Sequence, residues 1–377
     1  MQISDEFPAA RKCTYLNNAS VALMPRLAAD YLEAWQRDIA DNGTLNFDEV
    51  AEEKVFDDLR ASFAALLGCT AIDIAVASSA SEMIASIAWA VMPAKGTKIV
   101  TTDVIFPSTA YPWARVARHT GAEMQYVAAG HAVIDEEALI AAIDERTSVV
   151  SICHVEYSTG QRFDLSRIAR ACQAVGAFLL VDASQSVGAV PIDVVATGVD
   201  ALVTTSYKWL CGPFGVGLLY LAPRWQTRLD PGITGWRSNA AVYDLQADRC
   251  VHHEDARRFE FSTMAYGCAG ALARSIDYLR ALGIGKILEH NMALIDRLVQ
   301  GADSLGIHPV SPMGPGQRSS IASFLLPGVP NREAVKRLGT QNIVVSARRD
   351  YVRVSPHIYT SEADIDRLVA ALEDIVR

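Results

Sequence analysis

Short apolar runs and amphipathic stretches take turns along this chain, and that rhythm leaves few architectures open. Strand-like runs fall at 74–77, 98–102, 124–127, 149–155, 178–181, 201–204 and 216–221, with helical patterns at 81–91, 109–119, 136–142 and 165–175. Strand, helix, strand in sequence predicts an α/β fold whose sheet is mainly parallel and covered on both faces. After Gly235 the character changes. A polar stretch leads into helical patterns at 269–282 and 286–304, then a Gly/Pro-rich break at 311–316. Beyond it come a strand-like 321–326, a helix at 332–338, strands near 343–345 and 351–354, and a last helix from Ser361. The expected organisation is an N-terminal segment (1–25), a large domain (26–250) and a smaller C-terminal α/β domain (251–377).

Composition narrows the partners. The 377 residues include 34 Lys and Arg against 43 Asp and Glu, a formal net charge of −9. An acidic chain with no basic run is poorly suited to a phosphate backbone, so nucleic acid is not an expected partner. Seven scattered cysteines without a CxxC pair fit a reducing compartment and suggest neither a disulfide framework nor a zinc site. No apolar stretch reaches membrane-spanning length, and the first twenty residues lack a signal-peptide pattern. A cytoplasmic protein without a membrane partner is expected.

In an open parallel sheet, ligands sit beyond the carboxyl ends of the strands. The apolar run 178–181 ends in Asp182, and the run 201–204 leads through Ser206 and Tyr207 to Lys208. The run 74–77 ends in Ser78-Ser79-Ala80-Ser81, directly before a helix. A carboxylate, an amine and a small-residue turn at a helix start thus share one edge. Each has a task if the ligand is pyridoxal phosphate. The amine forms a Schiff base with the aldehyde, the carboxylate keeps the pyridine nitrogen protonated, and free N–H groups bind the phosphate.

The segments VDASQSVGAVPIDV and TTSYKWLCGPFGVGLLYL resemble the cofactor-lysine region of the class V aminotransferases. Those are fold-type I enzymes that include cysteine desulfurases, kynureninases and isopenicillin N epimerase-like proteins. The likeness runs from YLNNAS at residue 15 to VRVSPHIYTS, which begins at Val352. It implies the fold-type I architecture, pyridoxal 5'-phosphate as cofactor, an amino acid as small-molecule substrate and a homodimer. By position, the resemblance assigns Lys208 to the Schiff base and to proton transfer, and Asp182 to the pyridine nitrogen. It places Ala183 under the ring, Gln185 at the phenolic oxygen, and Ala80, Ser81, Ser206 and Tyr207 at the phosphate. Thr263 and the Gly232-to-Arg237 loop match segments that reach into a neighbouring subunit. Arg353 matches the arginine that clamps the substrate carboxylate, with Asn18 and Tyr157 beside the substrate.

Phe106 occupies the position that stacks on the ring, where desulfurases carry a histidine; phenylalanine can stack but cannot move a proton. Glu156 departs from the family pattern, either touching substrate or merely solvated. A desulfurase needs a mobile nucleophilic cysteine in its C-terminal domain, yet the last cysteine is Cys268, and Cys211 reads as a buried filler. A persulfide-forming desulfurase is therefore disfavoured. His252 to Asp255 are metal-ligand types, but adjacent residues do not converge on one centre, so no metal is expected. The chemistry expected is transamination or β-elimination, such as C–S cleavage of a cysteine conjugate. Epimerisation and kynureninase-type C–C cleavage stay open as alternatives, and a non-catalytic scaffold is the remaining reading.

Overall fold

The computed structural model describes residues 3–377 except residue 131. Strand β1 (Thr14–Tyr15) precedes the seven strands of the main sheet. These are β2 (Ile74–Ala77), β3 (Lys98–Thr102), β4 (Glu123–Val127), β5 (Thr147–Cys153), β6 (Phe178–Asp182), β7 (Ala201–Thr205) and β8 (Gly217–Leu221). Their spatial order is β2-β8-β7-β6-β5-β3-β4. The ladders from β7 to β4 are parallel, and β8 runs antiparallel to both β2 and β7. The sheet is thus mixed but mostly parallel, as the alternation predicts.

Burial on both faces explains the near-continuous apolar runs. Leu179 and Val181 of β6 point to one core, shared with Phe63, Ile168 and Leu272. Phe178 and Leu180 point to the other, shared with Met83, Ile84 and Trp113. This period-two partition sets which polar residue emerges at each strand end.

The C-terminal part builds an antiparallel sheet from β9 (Ala322–Phe324), β12 (Tyr351–Val354) and β11 (Ser346–Arg348), while β10 (Ile343–Val344) pairs with β1. Its own apolar cluster runs from Leu294 to Ile375 and includes Leu16 from the N-terminal segment. Helix Tyr266–Leu282, expected in the smaller domain, places Tyr266, Ala269, Leu272 and Ile276 in a core of the main sheet. The apolar cores therefore part after this helix rather than at residue 250. Two further helices, Arg26–Asn42 and Asp57–Leu67, lie outside the expected elements. Both carry apolar residues at helical spacing, Leu27, Tyr31, Trp35 and Ile39 in the first and Leu59, Phe63 and Leu67 in the second, although Ala28 is the one fully buried residue of the first.

Candidate active site

The ends of β2, β5, β6 and β7 open on one cleft of about 530 Å³, part of it open solvent. Asp182, Lys208, Phe106, Tyr157, Ala80, Ser81, Gln185 and Tyr207 all line it. The strand-end residues picked from sequence thus meet in one place.

Asp182 is fixed from two sides. The Thr109 hydroxyl donates to Oδ2 at 2.7 Å, and the Ser184 N–H donates to Oδ1 at 2.9 Å. Thr109 lies in the first turn of helix Pro107–Thr120 and is fully buried. Sequence reasoning missed it, because its partner is 73 positions away and nothing local marks it. Lys208 projects from the loop between β7 and β8, with its Nζ 5.5 Å from the centre of the Phe106 ring. Burial pushes its amine below the usual lysine range; Asp182 works against that shift, and Arg353 and Arg348 reinforce it. Phe106 in turn packs edge-on against Tyr157 at 5.3 Å.

The small-residue turn is a helix start. Ser79 caps helix Ala80–Val91 by accepting from the Glu82 N–H at 3.2 Å. Gly217 lets β8 pass directly behind the turn: a Cβ there would stand 2.2 Å from the Ser79 carbonyl carbon and 2.6 Å from the Ala80 nitrogen. Tyr207 lines the same cleft and stacks on Phe214 at 4.5 Å.

The remaining expected residues have these surroundings. The Ser206 hydroxyl is buried and donates to the Pro213 carbonyl, so it is not presented to the cleft. Ala183 faces the core below the strand end rather than the cleft surface. Asn18 is fully buried, donating to the Ser355 carbonyl at 2.6 Å and accepting from the Tyr359 hydroxyl; it braces the wall from behind. Gln185 donates to the Ala19 carbonyl and accepts from the Trp209 indole, both at 2.9 Å, which leaves one amide hydrogen uncommitted. Thr263 is exposed and outside its own chain's cleft. Glu156 is buried rather than solvated: Oε2 accepts from the Ser158 N–H at 2.6 Å and hydroxyl at 2.7 Å and from the Thr159 N–H at 3.0 Å, while Oε1 has no partner. Burial raises its pKa.

Arg353, on β12, is 1% exposed and forms no ion pair among the described residues. Its guanidinium donates to the Tyr157 carbonyl and to Ser20 Oγ, both at 2.7 Å, and its Nε has no partner. Burial, then the nearby Arg348, lower its pKa to about 9. A buried cation served only by neutral oxygens is costly unless an anion completes it. Cys153 is the one thiol on the cleft wall, and burial holds it well above the usual thiol range.

These groups suit pyridoxal phosphate: an amine of depressed basicity, a braced carboxylate, a flat aromatic opposite the amine, and a helix start whose crowded packing tolerates only glycine behind it. The fold and site define a pyridoxal-phosphate-dependent enzyme. The chain belongs to the aminotransferase class-V family, whose family model matches residues 14–368. It is 24% identical to a probable cysteine desulfurase of Pyrococcus abyssi over all of this chain and 97% of that one. It is 27% identical to an isopenicillin N epimerase of Amycolatopsis lactamdurans, covering 96% and 95% of the two chains. The apo cysteine desulfurase of Thermococcus onnurineus has the same fold, with a TM-score of 0.90 over 99% of this chain and 97% of that one at 22% identity.

Proposed function

We propose that the protein is a lyase that removes the α-proton of a cysteine-type amino acid and expels a sulfur group from its β-carbon. Bound pyridoxal phosphate supplies the electron sink for the carbanion. Lys208 takes the proton from Cα, and its depressed basicity leaves more free amine at neutral pH. Asp182, held by Thr109 and Ser184, keeps a proton on the pyridine nitrogen. Arg353 receives the α-carboxylate.

The observation that carries this reading is the pairing of Lys208, the one lysine lining the cleft among the described residues, with Phe106 opposite it. One mobile base faces a ring that cannot titrate. That favours proton removal on a single face over two-base epimerisation. The relatives named as cysteine desulfurases turn the reading toward sulfur chemistry. Residues 269–377 contain no cysteine, and Cys153 is held as the thiol, so release of a free thiol is favoured over persulfide transfer. Incubation of the holoenzyme with S-substituted cysteines tests this. Thiol, pyruvate and ammonia are expected in equal amounts; keto acid with build-up of the cofactor's amine form would instead mean transamination.

The same proposal includes a homodimer, supported by exposed Thr263 and by the exposed apolar Leu245 and Val251 beyond the Gly232-to-Arg237 loop. An active monomer in sedimentation at working concentration would contradict it. Seven free cysteines support a reducing compartment, and no described helix is long and apolar enough to cross a membrane.

A further inference from the structure

We propose that Arg348 forms a second anion subsite beside Arg353, so that the preferred amino acid carries a negative group at the far end of its side chain. The inference rests on the reading that Arg353 holds the α-carboxylate, and it extends that reading to the substrate's other end.

Ser20 Oγ accepts from Arg348 Nη2 and from Arg353 Nη2, each at 2.7 Å. The two guanidiniums are therefore no further apart, at those nitrogens, than twice that length. A neutral hydroxyl oxygen is a poor bridge for two cations, and like charges this close oppose each other. Neither arginine has a carboxylate partner within ion-pair distance among the described residues; the other partner of Arg348 is its neighbour's carbonyl, Ala347 O at 2.8 Å. One α-carboxylate satisfies the fork of Arg353, which leaves Arg348 with donors to spare.

The backbone holds this arrangement at a cost. Arg348 ends β11 and pairs with Tyr351 across a two-residue turn. The first turn residue, Arg349, has φ 51°, a left-handed conformation unusual for a side chain of its size. Its guanidinium reaches toward the Asp103 carbonyl at 3.5 Å, on the segment that leads to Phe106. Glu156 offsets the cluster only in part: its charge favours the Arg353 cation against burial and Arg348, but its Oε2 is spent within its own turn and it makes no ion pair with either arginine. Lys208 lies within the field of both Arg348 and Arg353, so the basic cluster borders the reacting centre. The matching ligand is an amino acid whose side chain ends in a carboxylate or a sulfonate.

The test is equilibrium binding of inert acids to the holoenzyme, followed by calorimetry. Glutarate is expected to bind at least tenfold more tightly than butyrate at one pH and ionic strength. Arg348→Met should remove that preference, and Arg348→Lys, which keeps the charge in a gentler substitution, should retain part of it. Replacing glutarate by 3-sulfopropionate shows which acid the subsite prefers. Equal affinity for glutarate and butyrate, or a preference that survives Arg348→Met, overturns the proposal. An intact preference in an enzyme that releases no thiol would refute the sulfur-elimination reading and support this one.

Discussion

Lys208, Asp182 and Thr109 form a chain of dependence whose links can be cut singly. Lys208→Ala should lower turnover by at least about a thousandfold, because among the described residues no other lysine lines the cleft to move the proton. Borohydride reduction and peptide mapping should place the pyridoxyl group on Lys208; its appearance on another lysine would refute the assignment. Asp182→Asn should slow α-proton loss on the order of 100-fold, since an amide no longer favours the protonated ring nitrogen. Thr109→Val removes a donor that holds Oδ2 at 2.7 Å while leaving the carboxylate in place. A hydrogen bond to a charged group contributes about 1.5–3 kcal/mol, so turnover should drop roughly tenfold or more. A pH profile shifted in this variant, with Michaelis constant unchanged, separates positioning of Asp182 from general loss of structure.

At the level of elements, the turn at Ser79 and strand β8 act as one unit, because Gly217 brings the strand backbone against the turn. Gly217→Ala must push the Ala80 nitrogen away, which should cost about 1–3 kcal/mol of stability and weaken cofactor binding together. Thermal midpoints of the apoenzyme and a cofactor titration would read both; unchanged cofactor affinity would remove this turn from the phosphate role. The strands that bracket the site were legible in sequence because each is buried on both faces and ends abruptly in a polar residue, as β6 does at Asp182. What sequence could not give were contacts between distant segments. Thr109 on Asp182, Ser20 between two arginines, and the buried turn closed by Glu156 all depend on loops whose approach no local pattern encodes. The Ser206 hydroxyl depends on such an approach too, since the returning chain brings the Pro213 carbonyl to it. Helix Tyr266–Leu282 follows a polar stretch yet returns to the main sheet's core, which no local pattern near residue 250 signals.

Across the whole molecule, the junction between the two cores is built around a neutral histidine. His357, fully buried, accepts from the Ile358 N–H on Nδ1 at 2.7 Å, which leaves the ring proton on Nε2, 3.3 Å from the Trp209 carbonyl and 3.5 Å from Cys211 Sγ. Tyr359 stacks on it at 5.4 Å and also holds the Asn18 brace. Burial lowers the pKa of His357 to about 4, of His154 to about 3 and of His253 to about 4. In the unfolded chain these rings titrate near 6.5. Between pH 6.5 and about 4 the unfolded state therefore binds protons that the folded state does not, and stability falls as pH falls. Glu156 works the other way, because its raised pKa lets the folded state take a proton first. Three histidines outweigh one carboxyl, and the exposed carboxylates of lowered pKa, such as Asp144 and Asp366, titrate below this window. Each fully buried histidine contributes on the order of 3 kcal/mol across it. The thermal midpoint should drop steadily from pH 6.5 to 4.5, and His357→Gln, which cannot charge, should flatten that slope even if its midpoint at pH 7 is lower. A variant whose slope matches the parent's would show that His357 stays neutral in both states or is already protonated in the fold, and would exclude it as the acid-sensitive joint.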